Sequence, residues 1–198
     1  MEYLFIIQAL WIILPAYVAN ALAVLVGGGK PIDGGRTWKD GRRLLGDGKT
    51  WRGLIVGAFL GMTIGFGLTI AARIINASEY GFLELNTFLG GPGNIFILFS
   101  LCFGGLLGDI TESFFKRRIG KDRGEDWFVF DQLDFIIGAL VLSFFMSYCL
   151  QPFFSIHWFF DSISLGHLLT LLIVTPLFHR LANFIFKHIK RRIVPAKI

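Results

Sequence analysis

Two cysteines and four histidines in 198 residues, with a charged fraction of only 17%, exclude several kinds of chemistry at the outset. Cys102 and Cys149 both fall within apolar stretches, where they act as small hydrophobes. Neither spacing nor context suggests a metal site, a disulfide or redox work. Only Met1 and Glu2 precede the first apolar stretch, so the basic n-region of a removable signal peptide is missing, as is a small-residue cleavage site after a short core. That stretch is expected to stay as a helix. Basic residues are scarce in alternate loops: the second carries Glu79 and Glu84, the fourth carries Asp161 without Lys or Arg, and Arg73 is the exception.

What the chain has in excess is apolar length. Its hydrophobic content is 54% and its mean hydropathy +0.64, outside the range of soluble domains and inside the membrane class. Crossing about 30 Å of hydrocarbon takes roughly 20 apolar residues as a helix. Five stretches meet that length, near residues 3–26, 53–75, 95–115, 129–150 and 165–186. Isolated spans must satisfy every backbone N–H and C=O internally, so the fold class is all-α: one polytopic membrane domain, residues 1–198, with five transmembrane helices.

Charge orients these helices. The first loop holds Lys30, Arg36, Lys39, Arg42, Arg43, Lys49 and Arg52; the third holds Lys116, Arg117, Arg118, Lys121 and Arg123; the tail holds Lys187, Lys190, Arg191, Arg192 and Lys197. By the positive-inside rule the N-terminus faces out, and both basic loops and the C-terminus face the cytoplasm. A chain in the cell membrane with its polar site on the cytoplasmic face follows. The net charge of +5 is accounted for by this topology, and no nucleic-acid partner is expected. Topology does not require the acids of those loops, Asp33, Asp40, Asp47, Asp122, Glu125 and Asp126. Mixed charge among glycines, which let backbone approach a ligand, suggests that loops 27–52 and 116–128 form a polar site over the membrane face.

Beneath that site lie acids placed against expectation. Asp109 and Glu112 share a helix face by their spacing of three and sit toward a C-terminal helix end, where the dipole disfavours negative charge. Asp131 and Asp134 repeat the spacing at the start of the next helix, on the same side of the membrane. Favourable dipole placement alone is a sufficient reason for that second pair. A cation is expected beside the first, either Lys116 at i+4 from Glu112 or a metal ion. Clustered carboxylates without His or Cys are hard oxygen ligands suited to Mg²⁺ or Mn²⁺. With Lys and Arg adjoining, this is the equipment of phosphoryl or nucleotidyl transfer.

The first inner loop ends in Gly48, Lys49 and Thr50, like the end of a P-loop, yet Arg43 stands where a Walker A motif needs glycine and no strand precedes it. Asp47, Lys49, Thr50 and Arg52 are read instead as closing a nucleotide site from the start of the second helix; a loop serving topology alone is the plainer alternative. Gly53, Gly57, Gly61 and Gly65 recur every four residues, which signals close helix packing or a furrow for a lipid chain. Trp38, Trp51 and Trp127 fit an interfacial aromatic belt better than base stacking.

Ser113, Lys116, Arg117, Lys121 and Asp122, followed by Asp131 and Asp134, resemble the S-x-x-K-R, K-D and D-R-x-D signature of the CTP-dependent phosphatidate cytidylyltransferases. Gly108, Asp109, Glu112 and Ser113 match that family's G-D-x-x-E-S. Three features depart from it: the gap from Arg117 to Lys121 is one residue shorter, an H-G-G before the last acidic pair is absent, and Gln132 replaces an Arg. These departures, with GDGKTWRG over residues 46–53, resemble the archaeal branch of the family, the CDP-archaeol synthases. The resemblance covers about a third of the chain.

It implies cytidylyl transfer from CTP to a lipid phosphate, 2,3-bis-O-(geranylgeranyl)-sn-glycerol 1-phosphate in the archaeal branch, with Mg²⁺ and release of pyrophosphate. Asp109, Glu112, Asp131 and Asp134 would be metal ligands. Lys116, Arg117, Lys121 and Asp122 would serve catalysis, with Ser113 and Arg123 at the nucleotide. A phosphate monoester is largely dianionic at neutral pH, so no general base is required and no His is expected to be catalytic. The rival from another class is an ion or phosphate transporter using the acids as a coupling-ion site. Its expected inverted repeat is not visible, and the acids gather at one face rather than midplane. The D-x-x-D-G-x-x-A-R run of CDP-alcohol phosphotransferases is absent as well. The sequence assigns no oligomeric state.

Overall fold

A computed structural model describes residues 4–121, 125, 127 and 130–177. Among these the secondary structure is helical, without strands: α1 (Leu4–Val26), α2 (Trp51–Asn76), α3 (Asn94–Arg118), α4 (Phe130–Phe154), α5 (Trp158–Ser162) and α6 (Leu165–Leu177), with 3₁₀ turns at Gly81–Leu83 and Gly91–Gly93. Four helices, α1 to α4, are long and apolar enough to cross a membrane, and α6 is a shorter apolar helix. The fifth expected span is thus described as helix to residue 177; its remainder and the basic tail, with His179 and His188, lie outside the described residues. So do Asp122, Arg123 and Asp126.

Between membrane helices there is little hydrophobic drive, because lipid is as apolar as leucine, and close van der Waals packing takes over. The glycine stripe of α2 serves that purpose. A Cβ built at Gly57 would lie 2.8 Å from the Cβ of Ala23, one at Gly61 would lie 2.6 Å from that of Ala19, and one at Gly65 would meet Leu98. The stripe therefore seats α2 on α1 and α3 and leaves no furrow for a lipid chain along it. Ile12, Ile13, Leu98, Leu101, Phe135, Ile136 and Ala139 fill the centre between α1, α3 and α4. Thr50 caps α2, its hydroxyl accepting from the Gly53 N–H at 3.1 Å, an interaction typically worth about 1 kcal/mol.

A second glycine seam joins α3 to α4. At Gly104 a Cβ would stand 2.6 Å from the carbonyl oxygen of Gly138; at Gly108 it would overlap the Asp134 carbonyl, and at Gly138 the Gly104 carbonyl. Backbone touches backbone along this seam, which brings the C-terminal half of α3 and the N-terminal half of α4 as near as two helices allow.

The opposite end of the bundle is tied by side chains. The Asn86 carbonyl accepts from Trp11 Nε1 at 3.0 Å, its Oδ1 accepts from Trp158 Nε1 at 3.2 Å, and its Nδ2 donates to Ser162 Oγ at 2.7 Å. His157 and His167 belong to this end, beside Ser147 and beside Ser164 and Gln8 respectively. Both are far along the chain fold from the inner-loop acids.

Candidate active site

The connection from α1 to α2 is held in shape by one buried carboxylate. Asp33 accepts from Arg43 Nη2 at 2.8 Å and Nε at 3.2 Å, and from the backbone N–H groups of Gly35, Leu45 and Gly46. The Arg43 guanidinium first, and the backbone donors with it, hold this carboxyl well below the usual carboxylate range against the opposing effect of burial. Gly46, at φ +99°, supplies the left-handed turn that points its N–H at Asp33. Arg43 also pairs with the exposed Asp47 at 2.8 Å.

Arg118, at the end of α3, fastens this loop to the helices. Its guanidinium donates to Asp40 Oδ1 at 2.6 Å and to the Arg43 carbonyl at 2.6 Å. It also lies over the rings of Trp38 and Phe114. Asp33 and Asp40, read from sequence as part of a ligand site, are thus committed to loop architecture. Arg118 was not among the expected site residues. Its only signal was membership of the basic run, which it shares with Lys116 and Arg117.

So fastened, the loop lowers Lys49 onto α3, where its ammonium donates to Asp109 Oδ2 at 2.5 Å. Lys116 donates to both oxygens of Asp131, at 2.8 and 2.9 Å, and Asp131 also accepts from the Trp127 N–H at 2.8 Å. The cation expected beside Asp109 and Glu112 is Lys116 only in part, since it lies 3.6 Å from Glu112 and turns to Asp131. Asp109 is met instead by Lys49, sixty residues away, which the sequence did not single out for it. Carboxylate oxygens of Asp109, Glu112 and Asp134 lie within 4.8 Å of one another. Asp131, one turn earlier on α4, lies outside that trio among the described residues and is engaged by Lys116.

These groups surround a cavity of about 520 Å³, walled by residues 45–49 of the loop, Asp109, Glu112, Ser113, Lys116 and Arg117 of α3, and Asp131 and Asp134 of α4. Arg117 reaches the Lys121 carbonyl at 2.6 Å, and Ser113 is buried beside Glu112. Among the expected nucleotide residues, Asp47, Lys49 and Ser113 line the cavity. Thr50 is occupied as the cap of α2, Arg52 is exposed and outside the lining, and Arg123 lies outside the described residues, as does Asp122.

A larger cavity, about 610 Å³, follows the α3–α4 seam. Its walls are apolar: Leu107 and Phe115 from α3, and Phe130, Ile137, Val141 and Leu142 from α4, over a floor formed by Gly104, Gly108 and Gly138. Glu112 and Asp134 line both cavities. A pocket lined by acids and cations and an apolar furrow therefore meet at the same two carboxylates.

The sequence profile of the CarS-like family, described as CDP-archaeol synthase, matches residues 2–195. The chain belongs to that family. It is 43% identical over 176 residues to a CDP-archaeol synthase of Methanosarcina barkeri, covering 87% of this chain and 93% of that protein. It is 44% identical over 179 residues to one of Thermococcus kodakarensis, covering 90% of each. A solved structure described as an intramembrane enzyme for archaeal membrane lipids biosynthesis superposes with a TM-score of 0.68 at 31% identity, over 90% of this chain and 94% of that one. Membership of the CDP-archaeol synthase family makes this chain a membrane transferase of lipid biosynthesis.

Three carboxylates without His or Cys suit Mg²⁺ or Mn²⁺. Glu112 supplies an independent sign of fit. Its side chain is 8% exposed, and its Oε1, in an ion pair with Lys116 Nζ at 3.6 Å but beyond hydrogen-bond reach, accepts no hydrogen bond among the described residues. A buried carboxylate oxygen without a hydrogen bond is costly, and a cation among Asp109, Glu112 and Asp134 would satisfy it.

Proposed function

We propose that this chain transfers the cytidylyl group of CTP to a membrane lipid phosphate, 2,3-bis-O-(geranylgeranyl)-sn-glycerol 1-phosphate, giving the CDP-activated lipid (CDP-archaeol) and pyrophosphate. The reaction occurs at the cytoplasmic face of a multi-pass protein with its N-terminus outside. The observation that carries this reading is the wall shared by the two cavities: a polar nucleotide and an apolar lipid meet where Glu112 and Asp134 separate their pockets.

Asp109, Glu112 and Asp134 would hold Mg²⁺, with Asp131 beside them. Bound there, the ion would neutralise phosphate charge and polarise the α-phosphate toward attack. The residues of the chain do the rest. Lys49, Lys116, Arg117, Lys121 and Arg123 provide positive charge for the triphosphate and the attacking phosphate, with Asp47, Thr50, Arg52, Ser113 and Asp122 around them. The lipid phosphate arrives as a dianion, its second pKa being about 6, so the site needs to orient it rather than deprotonate it. The furrow along Ile137 and Val141 receives the isoprenoid chains and fixes the phosphate at its upper end, which makes the encounter unimolecular.

Purified protein with Mg²⁺, lipid phosphate and each nucleoside triphosphate in turn is expected to release pyrophosphate with CTP; no release with CTP would remove the proposal. The furrow has its own test. Val141→Trp fills it away from the carboxylates, and the KM for lipid phosphate is expected to rise about tenfold, the scale of a lost apolar contact in a pocket, with the KM for CTP unchanged. Equal changes in both constants would mean that the lipid lies elsewhere.

A further inference from the structure

Among the described residues, the lining of the polar cavity carries five carboxylates (Asp47, Asp109, Glu112, Asp131 and Asp134) against three cations (Lys49, Lys116 and Arg117), a formal excess of two acids. A triphosphate entering such a pocket meets repulsion, and the two ammonium groups that would attract it are already bound to carboxylates. The two lysines differ in their freedom. Lys116 rises from α3 itself, is 9% exposed and is held by both oxygens of Asp131. Lys49 comes from a loop, with one side-chain bond among the described residues, to Asp109, and its side chain is 22% exposed. Its backbone is fixed, since its carbonyl accepts from the Ile32 N–H at 2.8 Å and its N–H donates to the Gly46 carbonyl. Only the flexible four-carbon stem is left to move. Asp109 is at once the partner of Lys49 and, with Asp134 and Glu112, a member of the trio whose oxygens converge and in which Glu112 Oε1 accepts no hydrogen bond among the described residues.

Building on the proposed metal-dependent function, we infer that Lys49 is the resident counter-ion of this cluster. Its ammonium stands on Asp109 while the site is empty, gives up that carboxylate to an entering divalent cation, and turns to the nucleotide phosphates. An ammonium and a divalent ion on one carboxylate repel each other, so the lysine weakens binding of the cation alone. A triphosphate offers the displaced ammonium new partners and removes that competition. Cation and nucleotide then strengthen each other's binding, and by linkage the coupling is the same in both directions. Lys49 would act as a positioning residue that makes the cluster respond to the cation–nucleotide pair rather than to free cation.

The test titrates Mn²⁺ alone into the detergent-solubilised full chain and reads unbound Mn²⁺ by its paramagnetic resonance signal. Lys49→Met is expected to bind Mn²⁺ about tenfold more tightly than the natural protein, in the range for altered partners of metal ligands, and Lys49→Arg to bind as weakly as the natural protein. Adding CTP should tighten Mn²⁺ binding strongly in the natural protein and much less in Lys49→Met. Thermal unfolding establishes that the variants are folded, and Lys49→Gln provides a second neutral side chain. Unchanged or weaker Mn²⁺ binding in both neutral variants would overturn the role of Lys49 while leaving the metal site standing. Mn²⁺ binding to Asp109→Asn that equals the natural protein's would instead remove Asp109 as a ligand, and the metal reading with it.

Discussion

Asp134→Asn lowers the rate of cytidylyl transfer by roughly 10²–10³-fold, the effect of removing one preorganised electrostatic partner of a charged transition state, and leaves the protein folded. Two arguments fix this expectation. The amide keeps the shape of the side chain, so the α3–α4 seam below it is undisturbed. It also removes one of the three charges whose oxygens lie within 4.8 Å of one another. In the absence of divalent cation those charges repel, and the variant is expected to unfold in detergent at the same temperature as the natural protein or at a higher one. Loss of activity without loss of stability marks a site strained for function. Raising the pH should not restore the rate, because the attacking phosphate is already deprotonated above about pH 6. Recovery at high pH would assign Asp134 to proton transfer and overturn its role as a ligand.

Gly138→Val is expected to damage both properties together. A side chain at this position overlaps the Gly104 carbonyl and the backbone of Gly108, and neither can retreat as the end of a flexible side chain does. The helices must separate, at a stability loss of about 1–3 kcal/mol or more for overpacking. Glu112 and Asp134 then move apart, and a displacement of about 1 Å at a reacting centre is enough for roughly a 10²-fold loss of rate. Thermal unfolding and pyrophosphate release, measured on the same preparation, check the pair of effects. Gly67→Ala on α2 is the control, since a Cβ there meets nothing within 4 Å and activity should be unaffected. Full activity in Gly138→Val would mean that the seam does not set the carboxylate spacing.

Helices were the most legible part of the sequence, because each apolar run of about 20 residues has one physical solution in lipid. The i, i+3 spacing of Asp109 with Glu112, and of Asp131 with Asp134, was legible for the same reason: it is a property of one helix at a time. Pairings between distant segments were not. Nothing local in Lys49 names Asp109 as its partner, and nothing in Lys116 says that it prefers Asp131 to Glu112, which is nearer in sequence. Asp33 and Arg118 were hidden in a different way. They carry the mixed charge expected of a polar ligand site, and only the folded loop shows that those charges are spent on holding it. The α3–α4 seam did leave a trace in Gly104 and Gly108, four residues apart, but the longer stripe on α2 carries the same pattern and masks it. That stripe proved to be packing, and the furrow lies on the other pair of helices.

The furrow along α3 and α4 is open outward, with Phe115, Phe130, Ile137 and Val141 each about half exposed. A substrate that enters there travels in the plane of the bilayer and never dissolves in water. The concentration that governs its encounter with the site is then its mole fraction among the surrounding lipids. Diluting it with inert detergent or lipid slows turnover at constant bulk amount, whereas the nucleotide obeys ordinary solution kinetics. Under the proposed function, one protein would join a two-dimensional supply to a three-dimensional one, and its two products would part along the same two routes.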